Sequence, residues 1–191
     1  MRRWLLLACL VAVLAGCRAE AGVFGAAHPP TCEDRGAPGS PTVLLEAQAV
    51  PSASLLPCIR ALPIGWSYGS TFVHSGLARF TLNSDRQGEN AVTVVLTPTC
   101  SLEGATLVPT DEPGTRRYER VDDISPQGDF SGSTYYLFPG GCVVYELDFH
   151  GKNRAGPVTE VNLALGFISR AAVRKAVSDG SDGRLDLDPR Q

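Results

Sequence analysis

The stretch Thr134-Tyr135-Tyr136-Leu137-Phe138, Pro139-Gly140-Gly141, Cys142-Val143-Val144-Tyr145-Glu146-Leu147-Asp148-Phe149-His150 decides the fold class. In its second arm Val143, Tyr145, Leu147 and Phe149 face one way, while Glu146, Asp148 and His150 face the other. Pro-Gly-Gly between the arms is turn chemistry, so the stretch reads as a β-hairpin with one buried and one wet face. A second hairpin stands upstream, Leu77–Asn83 and Ala91–Thr97 around the polar connection 84–90. There Ala78, Phe80 and Leu82 alternate with Arg79, Thr81 and Asn83, and Val92, Val94 and Leu96 alternate with Thr93, Val95 and Thr97.

The chain from Cys32 onward has the same texture. Thr42–Val50 is an apolar, partly alternating run stopped by Pro51, and Gly65–His74 carries Trp66, Tyr68, Phe72 and Val73. Pro109–Gly132 is long and polar; Tyr118 and Val121 mark a short edge strand there, and its mixed charges read as a solvated loop or edge, with a ligand-binding loop the rarer case. Because long loops on rigid scaffolds carry function, it is the first place to look for a partner surface. Val161–Ile168 alternates and favours a strand, although Val158, Val161 and Leu165 also fit a helix. Ser169 then stands as an N-cap before a short helix with Val173, Ala176 and Val177 on one face and Gly180 just beyond. The expected fold is mainly β: an antiparallel β-sandwich or small barrel with one short C-terminal helix.

Composition bounds the function. With 191 residues, 43% apolar and 19% charged, the chain can bury one sizeable core but hardly two. A net charge of −3 without basic clusters excludes nucleic acid as a partner bound through a basic surface.

The N-terminus carries an address. Arg2 and Arg3 precede the apolar run Trp4–Leu14, which is too short for a comfortable transmembrane span and has the make-up of a secretory signal. Leu14-Ala15-Gly16-Cys17 resembles the lipobox of bacterial lipoproteins. That resemblance, confined to this segment, implies cleavage before Cys17 and diacylglycerol on its sulfur, with the acyl chains left in the membrane. Ala19-Glu20-Ala21 offers ordinary signal cleavage as the alternative, giving a secreted protein. Removal of residues 1–16 takes two arginines and no acid, so the mature net charge falls to −5. The expected organisation is a signal peptide over 1–16, the lipidated cysteine and a flexible tether over 17–31, a single β-rich domain over 32–178, and an acidic flexible tail over 179–191. His28 falls in the tether, where a solvated histidine is the ordinary reading.

Cys9 lies in the discarded signal, which leaves Cys32, Cys58, Cys100 and Cys142, an even number in an exported chain. Three pairings are open. Cys32–Cys58 with Cys100–Cys142 is favoured because each brackets one contiguous section. No Cys-x-x-Cys pair suggests a metal, and an oxidising compartment favours disulfides.

Catalytic signatures are sparse. There is no Gly-x-Ser-x-Gly elbow, no Ser-x-x-Lys, no phosphate-binding glycine loop and no His-Glu-x-x-His. His74 and His150 end strands and read as polar-face residues. Glu146 and Asp148 share a strand face and could flank a small cleft, but a solvated face has the same pattern. The tail Asp179–Asp188 is acidic, yet its fifth position is Gly183 and no glutamate closes an EF-type loop. Trp66, Tyr68, Tyr135 and Tyr136 form a candidate aromatic platform, with one of the adjacent Tyr135 and Tyr136 expected to be exposed. No catalytic residue, metal ligand or cofactor is expected.

The expectation is therefore a lipid-anchored, non-catalytic β-domain on the outer face of the membrane, binding an envelope protein or a cell-wall or small ligand. Its rivals are an envelope hydrolase whose site assembles only in three dimensions and a purely structural envelope component. A long unpaired strand edge or an exposed aromatic patch would mark the binding module. A pocket joining His74 or His150 to a carboxylate and a nucleophile would mark the hydrolase.

Overall fold

The computed structural model describes residues 23–24, 28–34, 37–126, 128–151 and 155–188, so the signal segment and Cys17 lie outside the described residues. In chain order the strands are β1 (Val23–Phe24), β2 (Glu33–Asp34), β3 (Ala37–Pro38), β4 (Leu55–Ile59), β5 (Trp66–His74), β6 (Leu77–Ser84), β7 (Gly88–Thr97), β8 (Thr106–Val108), β9 (Arg116–Ile124), β10 (Phe130–Phe138), β11 (Gly141–Phe149) and β12 (Leu165–Ser169). The helices are α1 (Pro41–Ala49), α2 (Ala155–Ala164) and α3 (Arg170–Gly180).

Both hairpins form: β6 pairs with β7, and β10 pairs with β11 from Phe130↔Phe149 to Phe138↔Gly141. The second closes through Pro139 and Gly140, with Gly140 at φ 76°, the left-handed position of a turn that favours glycine. A Cβ on Gly140 would also run into the Ser52 carbonyl. Ser52 Oγ donates to Gly140 O at 2.6 Å and Ser54 N to Pro139 O at 3.2 Å, so this turn is clasped to the connection between α1 and β4.

The hairpins merge into one antiparallel sheet, ordered β1-β5-β6-β7-β11-β10-β9-β8, whose two edges stay apart. It is not a closed barrel. A β12–β4 ribbon and the helices make a second layer, with α1 against β4, β5 and β6 and α3 against β12, giving a two-layer, sandwich-like, mainly β fold. The sheet's inner face is set by register: Phe80↔Val94↔Tyr145 and Leu82↔Val92↔Leu147 align across three strands, and all are buried. Each such side chain contributes about 1.5–3 kcal/mol on leaving water. Phe167 of the ribbon closes over Tyr136, Phe138 and Tyr145, with ring centroids 5.2, 6.1 and 6.4 Å away.

Two disulfides, Cys32–Cys58 and Cys100–Cys142, tie the N-terminal segment to β4 and the chain leaving β7 to β11. They indicate an oxidising, extracytoplasmic compartment. Among the described residues no helix is long and apolar enough to cross a membrane.

The elements depart from the sequence reading at five places, the first being the expected flexible tether 17–31, where Val23–Phe24 pair with β5 and Thr31 bridges to Ile59. Residues 41–49 form a helix, with Pro41 in its first turn and Val43, Glu46 and Ala47 on the buried face. Residues 161–164 complete α2, and only 165–169 are strand. Within Pro109–Gly132, the strand marked by Tyr118 and Val121 is not short: it runs nine residues, Arg116–Ile124. The acidic tail is held at least as far as Asp188: Leu187 is buried, and Asp188 receives the Arg170 guanidinium.

Arg170 fastens three pieces together. Besides Asp188, its Nη1 donates to the Ala47 carbonyl at 2.7 Å, satisfying the open C-terminus of α1. Ser169 Oγ caps α3 by accepting from Ala172 N. Arg170→Ala is expected to cost about 2 kcal/mol, the loss of charge-assisted hydrogen bonds. In thermal unfolding that is a fall in Tm of roughly 4–8 °C; an unchanged Tm would reject the role.

Candidate functional site

Among the described residues both sides of the sheet leave backbone open, β5 over residues 66–71 and β9 over residues 120–124, and the β9 opening is the one whose own strand bears exposed large apolar residues. β8 pairs with β9 only at Thr106↔Glu119, Leu107↔Tyr118 and Val108↔Arg117, and no described strand pairs with the outer side of residues 120–124. On the inner side β9 is fully engaged by β10, with a bulge at Asp122, because Gly132 opposes Val121 while Ser131 opposes Asp123. Register puts Val121 and Ile124 on the same sheet face as Leu147 and Phe149. Unlike those two, which are buried, they are 58% and 49% exposed; Leu107 of β8 is 62% exposed.

Behind this edge lies a groove of about 360 Å³ lined by Val121, Phe130, Thr134, Leu147, Ala155 and Val158, where α2 passes over the sheet. Gly132 keeps its floor open, since a Cβ there would press on the Phe130 ring and the Arg120 carbonyl. α2 is held in place by Glu160, which accepts from Trp66 Nε1 at 2.6 Å and from Arg86 Nη2 at 2.7 Å. These bonds, the Arg86 one foremost, keep the Glu160 carboxyl below its ordinary range. A backbone edge, adjoining apolar residues and a groove can together receive an extended chain: the edge supplies hydrogen bonds and the groove takes alternate side chains.

The residues with chemical potential do not converge on that groove. His150 Nδ1 lies 3.7 Å from Asp129 Oδ1, and Ser125 Oγ donates to Asp129 Oδ2 at 3.2 Å. The carboxylate thus sits between hydroxyl and imidazole, whereas nucleophilic catalysis needs the imidazole on the hydroxyl. Gly151 N–H and then Ser125 hold the Asp129 carboxyl below its usual range, and Asp129 N donates back to Ser125 Oγ at 3.0 Å. This corner closes the turn between β9 and β10. His74 is exposed at a strand end, with Nδ1 2.8 Å from the Ser75 carbonyl. Glu146 and Asp148 point from the uncovered sheet face into solvent.

No His, Cys, Asp and Glu cluster that could hold a metal exists among the described residues. Asp179 and Asp188 of the tail are engaged by Lys175 and Arg170. A cavity of about 670 Å³ lies beside the Cys100–Cys142 bond and is lined mainly by Pro98, Thr99, Thr115, Arg116 and the Pro139–Gly140 turn.

The aromatic platform does not form. Trp66 is buried edge-on to Phe149, and Tyr135 and Tyr136 are both buried, contrary to the expectation that one is exposed. Tyr135 does point to the open face, but Tyr118 and Val144 flank it in register and the Arg120 guanidinium lies 5.7 Å from its ring. The sequence marked β9 only in part, through Tyr118 and Val121, because Arg117–Glu119 and Arg120–Asp122 pair along the strand and give the rest of it the look of a charged loop. No protein-family model, no curated protein and no solved structure matches the chain.

Proposed function

We propose that the chain is a lipid-anchored, non-catalytic binding domain of the cell envelope that takes up an extended segment of a partner protein along the β9 edge. The observation that carries this reading is the unpaired edge at residues 120–124 beside exposed Val121 and Ile124. The disulfides agree with an extracytoplasmic site, and Cys17 supplies the attachment. A second copy of the chain is a poor occupant: antiparallel self-pairing centred between Asp122 and Asp123 would set Asp122 of each copy against Asp123 of the other, and opposed like charges destabilise a sheet.

Two experiments test the proposal. Cys17→Ala is expected to move the protein from the membrane fraction to the soluble extracytoplasmic fraction, and the intact mass of the native chain to show a diacylglyceryl group on Cys17. Retention of Cys17→Ala on membranes would reject the anchor. For the binding edge, a photoreactive residue at Val121 in the full chain is expected to form a protein adduct in cells. The same residue at Thr93, on the uncovered face, is expected to form none, and Ile124→Glu to abolish the Val121 adduct. Equal labelling from Val121 and Thr93 would reject the edge as the binding surface.

A further inference from the structure

If Cys17 is the membrane attachment, as the proposed function holds, the chain has little length in which to leave the bilayer before it joins the fold. Val23 and Phe24 pair antiparallel with Val73 and Phe72 of β5. Five residues separate Cys17 from Val23, and at about 3.3–3.6 Å per residue the span is at most about 20 Å. The chain is fastened again directly downstream. Thr42 Oγ1 donates to His28 O at 2.7 Å, Ser40 Oγ to Pro29 O at 2.9 Å and Ile59 N to Pro30 O at 2.7 Å, and Cys32 is bonded to Cys58.

Strand direction says which end of the sheet this holds down. Because β1 runs against β5, its N-terminal side lies toward His74 and the Ser75–Gly76 turn. The antiparallel order puts Pro98, the Pro139–Gly140 turn and the start of β9 at that same end. Arg79 and Arg116 are its exposed cations, set against exposed Asp111, while Glu112 is already bonded to Arg60 at 2.5 Å. The opposite end is acidic, with Asp85, Glu89, Asp122, Asp123 and Asp148 exposed. Its described arginines, Arg86 and Arg120, are bonded to Glu160 and Asp122. An anionic lipid surface attracts cations and repels carboxylates within a Debye length, so the acidic end is repelled and the end bearing Arg79 and Arg116 is not.

We propose that the Ser75–Gly76 end of the sheet rests on an anionic bilayer surface, and that the short link through β1 fixes the domain in this posture. The acidic end then stands outward by the length of a strand, about 25 Å, and carries the exposed Val121–Ile124 edge with it.

The test uses the acylated full chain in vesicles of mixed zwitterionic and anionic phospholipid, with a dye on a non-natural residue at Ser75 or at Glu89 and an acceptor in the lipid headgroups. Energy transfer is expected to be several-fold greater from position 75 than from position 89. Inserting twenty Gly and Ser residues after Ala19 is expected to bring the two values together. Equal transfer from both positions in the native-length chain, or greater transfer from position 89, would overturn the proposal. Failure of the anchor reading itself shows separately, as a chain whose mass lacks the acyl group. Coupling Cys17 of that chain to a maleimide lipid then puts the same two-position comparison to the posture alone.

Discussion

At pH 7 the Glu46→Leu variant melts above the native protein. Glu46 lies on α1 with 0% of its surface exposed, and neither carboxyl oxygen has a hydrogen-bond partner. Burial raises its pKa well above the ordinary carboxylate value, because a carboxylate without solvent or partner is costly. The sign follows from linkage. The unfolded chain ionises near pH 4.3 and the folded chain only at higher pH, so between those values the native state holds more protons and loses stability as pH rises, by about 1.4 kcal/mol per pH unit. Leucine is of similar bulk and removes both the buried polar group and the titration. The expected gain is about 2 kcal/mol at pH 7, or roughly 4–8 °C in Tm. Glu46→Gln removes the titration but keeps a buried, unpartnered amide, so its gain is smaller. Melting curves from pH 4 to pH 8 check both variants: the difference between native and variant grows with pH, and a difference that stays constant would reject the account.

Opening the sheet's own disulfide has the larger effect in the other direction. Cys100 and Cys142 are 42 residues apart in sequence, and closing a loop of that length restricts the unfolded chain by about 4 kcal/mol in the chain-entropy model. The double substitution Cys100→Ala with Cys142→Ala avoids a stray thiol and leaves Cys32–Cys58 intact. It is expected to lower Tm by roughly 8–16 °C without moving the protein to another compartment. Denaturant titration gives the same quantity as a lowered midpoint. A loss below about 1 kcal/mol would mean that the unfolded chain is already compact across this loop.

The sequence disclosed the elements whose two faces see different surroundings. β6, β7 and β11 each bury alternate side chains against the second layer, so their period of two is plain in the residues. β9 had no such contrast, being near the edge and wet on much of both faces. α1 was obscured because its buried side includes Thr42 and Glu46, polar residues that spoil a helical apolar stripe. The false strand at Val161–Ile168 arose where Ala164 ends a helix and Leu165 begins a strand, so one alternation ran across two elements. Of the candidate site, the stretch bearing Val121 and Ile124 was legible as a place to look for a partner surface, and the groove behind it was not. Val121, Phe130, Leu147 and Val158 come from four elements and meet only because β10 returns between β9 and β11.

The placement of the covalent bonds also decides how the domain bears mechanical load. Tension drawn through Cys17 reaches the two-residue pairing of β1 first, then the backbone hydrogen bonds at Pro30 and Cys32, and then the Cys32–Cys58 bond. From Cys58 it passes into β4 and, through the ribbon, to the layer that covers the sheet. The Cys32–Cys58 bond is the first covalent cross-link on that path, so separation of the noncovalent contacts before it leaves the chain still joined to β4. With Cys17 as the proposed attachment, the path of such a load runs through β1 and the Cys32–Cys58 bond, at the opposite side of the sheet from the β9 edge.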